Sequence, residues 1–165
     1  MKNGKFTFEQ IPASLAELES IAPQYMSTPQ GTAALFVLVL THYPENPELA
    51  LSMIDFLMGP KNISNYDRQF YRDRLSGKSY LPNSYFAGAT PENNYTPTLP
   101  LTVEVTENPY SYDQEGYAKL YIASGGADSP RPLVLRLKPS TGEWFLWEQL
   151  LLADIRKPVA GDPWA

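Results

Sequence analysis

Apolar residues recur at helical spacing along the first 77 positions, in segments that begin with helix-start signals. In the first segment, IPASLAELESI, the residues Leu15, Leu18 and Ile21 form one apolar stripe. Proline suits the first turn of a helix, and helices tend to end before a later proline. This pattern predicts a short helix that begins at Pro12 and ends before Pro23.

The second and third helices are predicted from a capping residue followed by proline. Thr28 is expected to cap a helix of about 14 residues that contains the run AALFVLVL. A buried strand has the same kind of run, and the helix start at Thr28 favours the helix. Asn46 is expected to cap the third helix, which ends at Gly59. The short link between these two helices predicts that they pair antiparallel.

A fourth helix and a connector follow. Ser64 with Asp67 forms a weak capping box, because Glu or Gln is preferred at the later position, and Gly77 is expected to end the helix. Residues 78–100 then show no periodicity, but they contain four prolines and three tyrosines. We expect an ordered connector, since its aromatic side chains need to be buried.

The last third of the chain alternates between apolar and polar residues, as strands do. Four strands are predicted at LTVEV, YAKLYIA, LVLRLK and EWFLWEQ, and the turn PSTG joins the last two into a hairpin. If Lys138 faces Glu143, the other pairs follow: Leu137 with Trp144, Leu135 with Leu146, Arg136 with Phe145, and Val134 with Trp147.

The two faces of this sheet differ in chemistry. One is aliphatic and is expected to meet the helices: Leu101, Val103, Val105, Ala118, Leu120, Ile122, Leu133, Leu135, Leu137, Trp144 and Leu146. The other, called here the aromatic–basic face, carries Glu104, Tyr117, Lys119, Tyr121, Arg136, Lys138, Phe145 and Trp147.

The expected fold class is therefore α+β, with N-terminal helices packed on one face of a mainly antiparallel, four-stranded C-terminal sheet. At 165 residues the chain has the length of one domain, residues 1–165. Within it we distinguish a helical part (1–77), the Tyr- and Pro-rich connector (78–100) and a sheet part (101–156).

Composition and charge exclude several classes of function. A net charge of −5 argues against a nucleic-acid partner, because phosphate backbones are bound through clustered Lys and Arg. The chain has no cysteine, which rules out disulfides and thiolate metal sites. The longest apolar run has eight residues, too short for a membrane span. The N-terminal residues lack the apolar stretch of a signal peptide, so we expect a cytoplasmic protein unless a signal was trimmed.

The aromatic–basic face is the best candidate for a binding site. Aromatic rings stack against planar ligands, sugars or peptides, while neighbouring cations hold a carboxylate or phosphate. The candidate ligand-binding residues are Arg136, Trp147, Phe145, Tyr121, Lys119, Tyr117 and Arg131. Cross-strand aromatic and basic pairs also stabilise any half-exposed sheet, and the connector could cover this face, so a purely structural role stays open.

Arg131 lies between Pro130 and Pro132, in a turn where Asp128 could accept from its guanidinium. Such a rigid setting suits a structural clamp better than a ligand-binding arginine. His42 is the only histidine and lies near a predicted helix end, which is typical of a structural histidine. With one histidine and no cysteine, no metal site or cofactor is expected.

Carboxylates give the alternative function. Glu104, Glu107, Asp113 and Glu115 surround one connection between strands and could form an acid/base pair or bind a cation. Their spacing matches no calcium loop. The alternative to binding is therefore a hydrolase or lyase with Glu104 or Asp113 as general base.

The segments GATPENNYTP, NPYSYDQEGYAKLYI, SGGADSPRPLVLRLK and WFLWEQLLLADIRKP resemble an uncharacterised family of bacterial proteins from clostridia and other Firmicutes. The resemblance implies a bacterial, intracellular protein and transfers no activity to any residue. The aromatic–basic face leads us to expect a protein of unknown function that is a non-enzymatic binding module. Its partner is an unspecified small molecule or protein, and the sequence gives no oligomeric state.

Overall fold

The computed structural model describes residues 4–164. Within them, five α-helices and five strands are connected by turns and two short 3₁₀ turns. The helices are α1 (Leu15–Met26), α2 (Pro29–Leu40), α3 (Pro47–Met58), α4 (Asn65–Leu75) and α5 (Tyr80–Asn83). The strands are β1 (Gly4–Phe8), β2 (Leu101–Thr106), β3 (Tyr117–Ile122), β4 (Arg131–Lys138) and β5 (Glu143–Gln149).

Three of the four predicted helix starts are confirmed by their capping bonds. The Thr28 side chain accepts from the Gly31 amide at 3.1 Å, and the Asn46 side chain accepts from Leu49 N at 3.2 Å. At α4 both bonds of the capping box between Ser64 and Asp67 are present. Aspartate therefore completes the capping box at this position, because its carboxylate reaches the amide of Ser64.

The prediction for the first helix is wrong at both ends. Its cap is Ser14, whose hydroxyl accepts from Glu17 N at 3.1 Å, and the helix passes through Pro23 to Met26. Proline removes one backbone hydrogen bond, but the last turn buries Ala22 and Met26 in the core. That burial offsets the lost bond, so the helix continues past the proline.

The centre of the molecule is α2, all of whose residues are buried. This helix packs against α1 and α3 and against all five strands. The sheet is antiparallel in the order β1-β2-β3-β4-β5. The α+β class is confirmed, but the sheet has five strands rather than four. The missed strand, β1, pairs with β2 and places Phe6 opposite Val103 on the core face.

Two of the connector's three tyrosines are buried, and the third, Tyr80, is half-buried. Tyr85 and Tyr95 are each only 1% exposed. Their hydroxyls donate to backbone carbonyls of the C-terminal segment, at Leu151 and Arg156. The connector therefore holds the C-terminal segment in place; it also contains the short helix α5, which the sequence analysis did not predict.

The aliphatic face of the sheet is buried as predicted, with Val105, Leu120 and Leu135 inaccessible to solvent. The β4–β5 register matches the prediction from Lys138–Glu143 to Leu135–Leu146. The last predicted pair is wrong, because Val134 lies opposite Glu148 rather than Trp147. The extra residue in β5 forms a β-bulge.

Candidate functional site

The β-bulge in β5 positions the Trp147 ring. Because this residue has no direct partner in β4, its side chain is displaced from the regular alternation of the strand. The indole meets the Tyr117 ring edge-on, with 5.7 Å between ring centroids and 73° between planes. Aromatic pairs favour such edge-to-face packing. Tyr117 is held there by β3, in which it pairs with Arg136 of β4.

Two cations lie over the Trp147 ring. The Lys61 ammonium is 4.5 Å from the ring centroid, and the guanidinium carbon of Arg136 is 4.6 Å from it. Arg136 also lies 5.4 Å from the centroid of Tyr117. Each cation–π contact at an exposed site contributes about 0.5–1 kcal/mol. We call these four residues the Trp147 cluster.

Lys61 reaches the cluster from the helical part of the chain. Gly59 ends α3 with a φ of 57°, which a residue without a side chain adopts most easily, and a 3₁₀ turn then runs from Gly59 to Lys61. The Lys61 ammonium donates to the backbone carbonyl of Trp147. Since β5 is an edge strand, this bond occupies one of its free carbonyls.

Beside the cluster lies an open depression of about 240 Å³. Its charged lining residues are all basic. The lining consists of Met58, Pro60, Lys61, Arg136, Leu137, Lys138, Pro139, Phe145, Leu146 and Trp147. The only salt bridge within residues 4–164 joins Arg156 to Asp128, elsewhere in the molecule. The cations of the depression are therefore not paired with carboxylates of the described chain.

The structure brings Arg136, Trp147, Phe145 and Tyr117 together and places the other predicted site residues elsewhere. Tyr121 and Lys119 lie further along β3, opposite Pro132 and Val134, and do not line the depression. The connector does not line it either; the rim consists instead of the 3₁₀ turn and the β4–β5 turn.

Arg131 binds the C-terminal segment. Its guanidinium donates to the carbonyls of Ala153 at 3.3 Å and Asp154 at 3.0 Å. The prediction that Asp128 is the partner of Arg131 is wrong, because the Asp128 carboxylate accepts from Arg156 at 2.9 Å. Arg131 therefore lies apart from the Trp147 cluster and has the contacts of a clamp.

The acidic candidates do not converge. Glu104 is exposed in β2 opposite Lys5, and Asp113 and Glu115 are exposed in the loop after it. Glu107 instead accepts from the Tyr112 hydroxyl at 2.7 Å. In the described part of the chain, no group of three or more His, Cys, Asp or Glu side chains could hold a metal ion.

His42 is part of the fold and not of a site. Its Nε2 atom lies 2.6 Å from the carbonyl oxygen of Pro12. A carbonyl only accepts, so Nε2 carries the proton and donates. The bond fastens the end of α2 to the segment before α1.

Sequence reasoning missed Lys61, because nothing near it in the sequence indicates that the end of α3 reaches β5. The Pro60 and Met58 contacts were missed for the same reason. The stop at Gly59 indicates where the chain leaves the helix, but it does not indicate that the chain then reaches β5.

Within residues 4–164, no helix is both long and apolar enough to cross a membrane. Comparison with curated proteins and with solved structures gave no match. One family model does match, over residues 10–159, which is most of the chain. The chain therefore belongs to the family described as "Domain of unknown function (DUF6935)".

Proposed function

We propose that this protein is a non-enzymatic binding module whose Trp147 cluster takes a ligand that combines a flat apolar group with a carboxylate. The observation that carries the proposal is the pair of cations over the half-buried Trp147 ring, without carboxylate partners in the described chain. Cations without such partners keep their capacity to bind an acidic group that a ligand brings.

The side chains of the Trp147 cluster and its depression suit both parts of the proposed ligand, the flat apolar group and the carboxylate. The flat group stacks on exposed parts of the Trp147 and Phe145 rings, while the Arg136 guanidinium donates to the carboxylate in a two-pronged arrangement. A hydrogen bond to a charged group contributes about 1.5–3 kcal/mol. Lys138, which also lines the depression, adds a third positive charge.

No specific observation favours the alternative of a carboxylate-based hydrolase or lyase. Glu104 and Asp113 are both exposed, and neither lines the depression beside the Trp147 cluster. A bacterial origin and an intracellular location belong to the proposal as well; their support is the resemblance of four sequence segments to an uncharacterised bacterial family. The folding of residues 1–165 as one domain is supported by the chain length.

The test is an NMR titration of the ¹⁵N-labelled protein with indole-3-acetate. A ligand of this size gains roughly 0.3 kcal/mol per heavy atom, so a Kd of about 1 mM is expected. Amides near Lys61, Arg136 and Trp147 should shift. Tryptamine, which has the same ring with a positive charge, should not bind, because the depression is basic.

Variants separate binding from folding. Arg136→Ala should weaken indole-3-acetate binding about tenfold, and Trp147→Ala should abolish it, with both proteins still folded. The matched control is Arg74→Ala, whose guanidinium also lies over a ring, 5.2 Å from the Phe70 centroid, but outside the depression. If both site variants unfold, or if the control weakens binding equally, the proposal is wrong.

A further inference from the structure

A second depression, of about 200 Å³, lies next to the first. The two share Met58, Lys61, Leu146 and Trp147, so they meet at the contact between the Lys61 ammonium and the indole. The far side of the second depression is formed by the start of α4 and the end of β5. Its lining residues are Met58, Lys61, Tyr66, Asp67, Phe70, Tyr71, Leu146, Trp147, Glu148, Gln149 and Leu150.

The two depressions differ in charge. Arg136 and Lys138 make the first one basic, whereas Asp67 and Glu148 are the acidic residues of the second. One oxygen of the Asp67 carboxylate accepts from Ser64 N at 3.1 Å, whereas Glu148 is exposed in β5 and forms no salt bridge within residues 4–164. The groove is therefore basic at one end and acidic at the other.

Apolar side chains are also exposed along the second depression. Tyr66 is 78% exposed and Leu150 is 60% exposed, and Phe70 is half-buried between them and the core. Single exposed apolar residues are ordinary, but a group beside a groove is typical of an interaction site.

We propose that the two depressions form one groove that binds an extended segment of a partner protein. The segment has an acidic side chain next to an aromatic one at the basic end and a basic side chain at the acidic end. This inference rests on the proposed function, which concerns only the first depression. Charge complementarity favours this occupant, because each end of the groove then faces an opposite charge.

The size of the depressions favours a peptide over a small molecule. Each is smaller than the roughly 300 Å³ at which pockets for small molecules begin. An extended chain places alternate side chains in successive shallow depressions and needs no deep pocket. A second copy of this chain is a poorer occupant, since each copy has a net charge of −5 and the copies repel each other.

The edge of β5 is not available for regular strand pairing at this place. The carbonyl of Trp144 accepts from the Thr32 hydroxyl at 2.7 Å, and the carbonyl of Trp147 accepts from Lys61. The bulge at Trp147 also interrupts the spacing of the edge groups. The partner segment is therefore held by its side chains and not by adding a sixth strand to the sheet.

The experiment compares two peptides by NMR titration with the full chain. The probe is acetyl-Asp-Trp-Ser-Ser-Lys-amide, tested also in the reverse order, and its counterpart carries Glu in place of Lys. The Lys probe should bind several-fold more tightly than indole-3-acetate in at least one order, and its titration should shift amides near Tyr66 and Glu148 as well as near Trp147.

A charge reversal in the protein gives the decisive result. Glu148→Lys should lower the affinity for the Lys probe about threefold and raise the affinity for the Glu counterpart by a similar factor. Changes of this size are expected for an exposed ion pair. The control variant is Asp73→Lys, an exposed carboxylate on α4 that lines neither depression. It should leave both affinities unchanged.

Each outcome decides between the inference and the proposed function. If indole-3-acetate binds but the peptides bind no more tightly and Glu148→Lys changes nothing, the inference is wrong and the proposed function stands. If neither probe binds, both are wrong. If the protein sediments as a dimer that Arg136→Ala or Glu148→Lys dissociates, a second copy covers the groove and the partner-segment proposal is overturned.

Discussion

A Cβ atom on Gly59 would lie 2.5 Å from Cδ1 of Phe145. The end of α3 thus packs directly against the Phe145 ring of the edge strand, with no room for a side chain at this position. The same glycine has a φ of 57° and a ψ of −129°, a conformation that side chains disfavour. Both conditions favour glycine at the point where the chain turns from α3 towards Lys61 and the Trp147 cluster.

Gly59→Ala should therefore destabilise the protein by about 2–4 kcal/mol, the combined effect of backbone strain and the clash with Phe145. Urea unfolding measures the change. Gly77→Ala is the control without a clash, because Gly77 also has a positive φ, 69°, but has no atom within 4 Å of the added Cβ, so its loss should be smaller. Equal losses in the two variants would show that the Phe145 ring moves aside without cost.

Thr32 connects the central helix to the edge strand. It is fully buried, and its hydroxyl donates to the carbonyl of Trp144 at 2.7 Å. Thr32→Val keeps the shape of the side chain but leaves that carbonyl without this donor, so unfolding should become easier by about 1–3 kcal/mol. Thr7→Val, at an exposed position of β1, should change the unfolding free energy by less than about 0.5 kcal/mol. If Thr32→Val leaves the unfolding free energy unchanged, a water molecule replaces the hydroxyl as the donor to this carbonyl.

Helix starts and sheet faces could be predicted because their signals are local. A cap such as Thr28 or Asn46 acts on amides within its own first turn, and alternation in β3 and β4 decides which side chains face the helices. The missed cap of the first helix, Ser14, is also a local signal, but the other failures depended on distant contacts. Pro23 predicts the end of a helix, and only the burial of Met26 in the core explains why α1 continues past it. Strand β1 is only five residues long and forms by pairing with β2.

The residues of the candidate site also fall into two groups, those that a local pattern predicts and those that only the fold brings together. Arg136, Phe145 and Tyr117 follow from strand alternation, and Trp147 lies beside Tyr117 and Arg136 although its predicted partner in β4 was wrong. The bulge that places it has no turn residue or glycine to indicate it. Lys61 lies 86 positions before Trp147, so no local pattern could join the two. Charge and ring type predict the face, whereas the two depressions beside Trp147 follow only from the fold.

Alkaline pH should lower the free energy of unfolding, because two buried tyrosines keep their protons in the folded protein. Burial raises the pKa of Tyr71 and of Tyr85 far above the ordinary value of 10.0. In the unfolded chain both groups lose a proton near pH 10, while in the folded chain they keep it. The stability that they contribute is complete below pH 10 and falls as the pH rises above it, by up to about 1.4 kcal/mol per pH unit for each group.

Urea unfolding between pH 8 and pH 11.5 measures this slope. Tyr71→Phe and Tyr85→Phe should each make it shallower, whereas Tyr66→Phe, at a residue that is 78% exposed, should leave it unchanged. Tyr85→Phe should also cost about 1–3 kcal/mol at neutral pH, because the Leu151 carbonyl loses its donor. An unchanged slope in both buried variants would show that these tyrosines are not responsible.

The C-terminal segment offers a contrast between two arginines. Arg131 is half-buried and donates to two backbone carbonyls, at Ala153 and Asp154, whereas Arg156 forms an exposed salt bridge with Asp128. A hydrogen bond from a charged donor to a backbone carbonyl contributes about 1.5–3 kcal/mol to stability, whereas an exposed ion pair contributes only about 0–1 kcal/mol.

Arg131→Ala should therefore loosen the segment around residues 151–156, and Asp128→Ala should not. Hydrogen exchange of the amides in that segment gives the measurement: Arg131→Ala should speed their exchange about tenfold or more, since local opening becomes easier by at least about 1.4 kcal/mol. Indole-3-acetate binding should be unchanged in Arg131→Ala, because this arginine does not line the depression at Trp147. A loss of binding together with unchanged exchange would give Arg131 the ligand-binding role in place of the clamp.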